Sequence, residues 1–255
     1  MKWILPAAVA VLVSVSSFAA PAAHAASPVP VTFGTTWDGP GQELQSVVDA
    51  YLGAPGLINV QTDYVGATAG DLDGWFWVGS SFPMLMITEI ASNANTNGLG
   101  WYAENYSHPF IDGVQDGVVF TGDQGAGASA VVTFPSGLTH FGFYLDTHTM
   151  IQLPAGEEAQ LFFTNRFYND LGPSGLGATH APFDGDVQAL VFDVSKWKGR
   201  NTWLVCFEDR DSGALIGDCC TGTDNDFNDF VFQINADGAT PALKPSFGSV
   251  KAGGR

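Results

Sequence analysis

About eleven short runs rich in branched and aromatic residues, many of them bounded by Gly, Asn, Asp or Pro, set the strongest limit on how this chain can fold. They cover 60–64, 75–78, 84–90, 100–103, 118–121, 130–134, 139–146, 160–164, 187–194, 202–208 and 226–234. Helical spacing is credible only in 42–52, where Leu44, Val47, Val48, Tyr51 and Leu52 recur on one side and Gly53-Ala54-Pro55-Gly56 ends the run. Many short strands with one helix predict an all-β fold, an antiparallel β-sandwich or jelly roll carrying one short N-terminal helix. Alternation agrees: Phe141, Phe143 and Leu145 fall on one side of their strand, and Trp203, Val205 and Phe207 on one side of theirs.

The chemistry concentrates near the carboxyl end, in Asp224-Asn225-Asp226-Phe227-Asn228-Asp229, fifteen residues after Glu208 and Asp209. Carboxylates this close repel one another, and a hard divalent cation with several oxygen ligands is the usual way to hold them together. If 202–208 and 226–234 pair antiparallel, the end of one strand meets the start of the other. Glu208 and Asp209 then lie beside Asp224, Asp226 and Asn228. Period-two geometry predicts Asp226 and Asn228 on one face and Asp229 on the other, joining through a bulge or holding the loop. The run begins like an EF-hand but has Asp229 where the turn Gly belongs and Asn235 where the bidentate Glu belongs, so it is not one. The plainer alternative is a strand cap built from Asx turns.

Residues 1–26 read as a secretory signal, with Lys2 at the start, an apolar run from Val9 to Val15 and Ala23-His24-Ala25 as the cleavage pattern. Residues 27–235 are expected to form one domain, and 236–255, rich in Gly, Pro, Ala and Lys, a mobile tail. The expected location is therefore extracellular. A formal charge of −17 with nine Lys plus Arg disfavours nucleic acid and anionic membrane as partners, and no later segment is apolar enough to insert into a bilayer.

Cys206, Cys219 and Cys220 are an odd set; in an oxidising compartment Cys206 can pair with either neighbour of the adjacent couple, and the sequence does not choose. The mature His residues, His108, His140, His148 and His180, lack zinc spacing. Asp71 with Asp73, Asp112 with Asp116, Asn169 with Asp170 and Asp184 with Asp186 sit beside Gly and read first as turns, second as further ion sites. Trp75, Trp77, Trp101, Tyr102 and Trp197 read first as core and second as a sugar-stacking platform. Nucleophile-elbow, zinc-protease and phosphate-loop motifs are missing from the sequence. Glu157-Glu158 and Glu208-Asp209 are the acid pairs a secreted hydrolase would need, but nothing fixes their separation.

Trp203-Leu204-Val205-Cys206-Phe207-Glu208-Asp209 followed by Asp224-Asn225-Asp226-Phe227-Asn228-Asp229-Phe230-Val231 resembles the ending of a secreted bacterial domain of unknown function, number 4114, frequent in exosortase-sorted (PEP-CTERM) proteins. The helix at 43–52, the segment 87–102 (ITEIASNANTNGLGWY), the strand at 139–145 and the strand at 186–193 are similar to its earlier segments. The resemblance implies an extracellular calcium-binding β-sandwich of surfaces and matrices without an established catalytic role. It also implies Glu208, Asp209, Asp224, Asp226, Asn228 and Asp229 as ligands of Ca2+. Two departures stand out: a longer loop at 210–223 with two Cys, and a C-terminus, Lys251-Ala252-Gly253-Gly254-Arg255, without the sorting signal. The expectation is a secreted, non-enzymatic calcium-binding protein of the matrix or cell surface, with an extracellular polysaccharide or a matrix or surface protein as partner. A calcium-dependent carbohydrate-binding module is the alternative, and a secreted hydrolase a more distant one.

Overall fold

The computed structural model of the chain describes residues 31, 33–34, 39–67, 75–78, 81–91, 96–103, 115–147, 161–169, 187–210 and 224–235. The signal segment, the tail, Cys219, Cys220, Glu157, Glu158, Asp71, Asp73, Asp112, Asp170, Asp184 and Asp186 lie outside the described residues. Helix α1 (Leu44–Leu52) precedes strands β1 (Trp75–Trp77), β2 (Phe82–Thr88), β3 (Gly98–Ala103), β4 (Asp116–Phe120), β5 (Ser129–Val132), β6 (His140–Asp146) and β7 (Leu161–Phe163). Then come the single-turn helix α2 (Arg166–Asn169), β8 (Ala189–Asp193), the single-turn helix α3 (Ser195–Lys198), β9 (Thr202–Phe207) and β10 (Phe230–Asn235).

All strand pairs are antiparallel, in two five-stranded sheets. One sheet runs β1-β6-β3-β4, with β7 also on β6; the other runs β5-β2-β10-β9-β8. The inner faces meet as the alternation requires. Phe76, Leu99, Phe141, Phe143 and Leu145 from the first sheet pack on Met84, Val205, Phe207, Phe230 and Phe232 from the second. The all-β sandwich expected from the sequence is the observed fold. Among the described residues no helix is long and apolar enough to cross a membrane.

The second sheet is covered on its outer face as well. Leu44 and Val48, one helical turn apart on α1, pack on Leu190, Phe192, Leu204, Cys206 and Val231. Strand β9 is therefore buried on both sides. Gly53, at φ 81°, ends α1 by donating its N–H to the Asp49 carbonyl at 2.9 Å.

Two expectations need correction here, and the aromatics of β3 take the first of their two readings, as core. Residues 60–64 are turns, because the Asp63 carboxylate accepts the Asn59 N–H at 2.9 Å and the Asn59 carbonyl accepts the Asp63 N–H at 2.9 Å, winding the segment upon itself. Val60 and Tyr64 still reach the core under α1. The last strand begins at Phe230, not at 226. Trp101 is buried against Phe134, with ring centroids 4.9 Å apart, and Tyr102 is buried on the opposite face with Phe163 and Tyr168. Neighbouring strand residues point opposite ways, so these two rings cannot share a sugar-stacking surface.

Candidate metal centre

The expected pairing of β9 with β10 is present, Phe207 opposite Phe230, and it brings the end of one strand to the loop that enters the other. Glu208 continues directly from β9 and is fixed by its N–H, which donates to the Gln188 carbonyl at 3.1 Å at the entrance to β8. On the other side of the loop, Ile90 beyond β2 donates its N–H to the Asp229 carbonyl at 3.1 Å. Asn97 leads into β3 and donates from Nδ2 to Asp209 Oδ2 at 3.1 Å. Both sheets thus contribute to one end of the sandwich.

The loop 224–229 is not extended. Asn225 at φ 50° and Phe227 at φ 58° adopt the left-handed conformation, unusual for a residue as bulky as Phe. Each such residue costs on the order of 1–3 kcal/mol, and the surroundings must over-determine it. Phe227 is held by its buried ring, 5.7 Å from the ring of Phe33, and by its N–H, which donates to Glu208 Oε2 at 3.3 Å. These turns break the period of two on which the expected placement of Asp226, Asn228 and Asp229 rested.

The result is two carboxylate triads, Glu208 with Asp224 and Asp226, and Glu208 with Asp209 and Asp229, each with oxygens within 4.8 Å of one another. All five acids are buried, between 1% and 9% exposed. At 4.8 Å two unit charges repel by about 3.5 kcal/mol at an effective dielectric of ~20. Burial, followed by the charges of Asp209 and Glu208, pushes the Asp229 carboxyl well above its ordinary range. Only the Asp209 N–H, donating to Asp229 Oδ2 at 2.8 Å, opposes that shift with a hydrogen bond. A metal ion is the alternative to a proton here, and an oxygen-only set of this density can hold one.

Of the six expected ligands, five supply carboxylates to the triads. Asn228, an amide, stands outside the carboxylate triads; its Nδ2 donates to Asp226 Oδ2 at 2.8 Å and to the Gln42 carbonyl at 2.7 Å, which ties the loop to the segment before α1 and keeps its buried Oδ1 at the same site. That segment also straps the loop. The Gly34 N–H donates to the Asn225 carbonyl at 3.1 Å, and a Cβ on Gly34 would lie 1.7 Å from the Asp224 carbonyl oxygen. Neither the strap nor Asn97 is evident from the acidic run, since both are distant in sequence. Asn169, read as a possible second site, latches β7 instead, accepting the Phe163 N–H at 2.8 Å and donating to the Phe163 carbonyl at 3.0 Å.

Among the described residues Cys206 is a free thiol, buried in the cluster under α1, and burial pushes its pKa up. No protein-family model, curated protein or solved structure matches this chain.

Proposed function

We propose that this chain is a secreted, non-enzymatic calcium-binding β-sandwich protein of the extracellular matrix or cell surface, in which calcium ties β9, the 224–229 loop and the strand ends beneath them into one body. The observation that carries this reading is the pair of buried carboxylate triads sharing Glu208. Calcium is the cation of choice because it takes six to eight oxygens in adaptable geometry, whereas magnesium keeps much of its water and zinc favours nitrogen and sulfur. Both triads consist of carboxylates alone. The occlusion of Glu208 and Asp209 suits a structural ion better than turnover of a polymer. Export is supported by the signal pattern, and a matrix or surface role by the resemblance to the 4114 domain.

The test is thermal melting of the mature protein in chelator, in calcium and in magnesium. An extracellular-type site with Kd of about 10⁻⁴ to 10⁻³ M, at about 10 mM calcium, contributes roughly 1.4 to 2.7 kcal/mol per ion. For a domain of this size that raises Tm by about 3 to 11 °C. An unchanged Tm, or an equal rise with magnesium, would sink the calcium reading.

A further inference from the structure

Among the described residues, the five carboxylates do not form one mutually close set; they divide into two triads that share only Glu208. Two ligands on one calcium, each about 2.4 Å from it, are at most about 4.8 Å apart, which is the spacing met within each triad. Each triad is thus spaced as one ion's set. Five carboxylates against one dication leave three negative charges buried, whereas a second dication leaves one.

A second observation points the same way. Asn97 is fully buried, its amide is directed at Asp209, and among the described residues its Oδ1 has no hydrogen-bond partner. A buried amide oxygen left in that state is a rarity that asks for a ligand. With Nδ2 anchored on Asp209 Oδ2 at 3.1 Å, Oδ1 of the same planar amide lies beside that carboxylate, where an ion held by Asp209 can meet it.

We propose that the centre takes two calcium ions bridged by Glu208, one held by Asp224 and Asp226 and the other by Asp209 and Asp229, with Asn97 as a neutral oxygen ligand of the second. This rests on the calcium reading above and adds the number of ions and a ligand from the opposite sheet. The second ion then joins the two sheets directly, since Asn97 leads into β3 and Asp209 follows β9.

Equilibrium dialysis of the mature chain against radioactive calcium counts the ions. Two per chain at saturation is the expected result. One per chain overturns the two-ion centre and leaves the calcium reading standing, while none overturns both. Asn97→Leu should lose the second ion, or bind it about tenfold or more weakly, and keep the first. Asn97→Asp, which retains an oxygen, should keep both, and it serves as the discriminating variant if the Leu replacement fails to fold. Two ions of unchanged affinity in a folded Asn97→Leu protein, or loss of the second ion in a folded Asn97→Asp protein, would remove Asn97 from the ligand set.

Discussion

Asp229→Asn should move stability in opposite directions with and without calcium. The Asp229 carboxyl lies within 4.8 Å of ligand oxygens on both Glu208 and Asp209. If all three were ionised, the two repulsions would cost about 3.5 kcal/mol each at an effective dielectric of ~20, or roughly 7 kcal/mol together. Keeping a proton on the group instead costs ~1.36 kcal/mol for each pH unit above its unfolded pKa of 3.8, about 4 kcal/mol at pH 7. Burial and these neighbouring charges raise the Asp229 carboxyl, so the calcium-free fold favours the proton relative to the unfolded chain. The sign follows from proton counting. A carboxyl whose folded pKa is raised binds more protons in the native state, so stability is greatest at and below pH of about 4 and falls as pH rises toward the folded pKa. Asn at 229 has no proton to hold and still offers an oxygen to the Asp209 N–H. In chelator at pH 7 the variant should therefore be more stable than the parent by up to about 4 kcal/mol, and near pH 4 by almost nothing. In saturating calcium the order reverses, because the parent has a carboxylate for the ion and the variant does not. Urea denaturation at the two pH values in chelator, and at pH 7 in calcium, reads all three. A variant destabilised equally in chelator and in calcium would make Asp229 an ordinary hydrogen-bond acceptor in a turn and refute the reasoning.

Gly34→Ala places a methyl 1.7 Å from the Asp224 carbonyl oxygen, so the strap must lift; a loss of about 1–3 kcal/mol in urea denaturation, together with weaker calcium affinity, is expected. A loss of stability without any change in affinity would show that the strap does not shape the loop. Cys206, buried and with its pKa pushed up, should resist alkylation in the native protein and react once urea unfolds it, as mass spectrometry of the tryptic peptide would show. At Phe227, Ala removes the ring but keeps the left-handed φ of 58°, whereas Gly removes both ring and strain; Gly should be the milder replacement by about 1 kcal/mol, reversing their usual order. A Phe227→Ala protein more stable than Phe227→Gly in urea would argue against the left-handed turn.

Period-two patterns were legible because a sheet that buries one face writes that fact into every second residue. The inward set Phe141, Phe143 and Leu145, and the set Trp203, Val205 and Phe207, are where alternation predicts. The pairing of β9 with β10, and hence the gathering of Glu208 and Asp209 with the acids of 224–229, followed from the same reasoning. The period failed where local hydrogen bonds or backbone turns overrode it. Val60 and Tyr64 look like strand residues, yet Asn59 and Asp63 close the chain into turns between them. Phe227, among the strongest strand formers in its run, is left-handed because Phe33, Glu208 and Gly34 hold the loop around it, and none of these is its neighbour in sequence. That turn is what gathers the acids around Glu208: had 226–229 continued as a strand, Asp226 and Asp229 would have faced opposite sides of a sheet, with no reason to share Glu208. A metal centre of this kind is thus visible in sequence as a composition of carboxylates. Its gathering around Glu208 depends on a backbone conformation that distant residues impose, and for the same reason Asn97, a single amide over a hundred residues upstream, carries no local sign of its place beside Asp209.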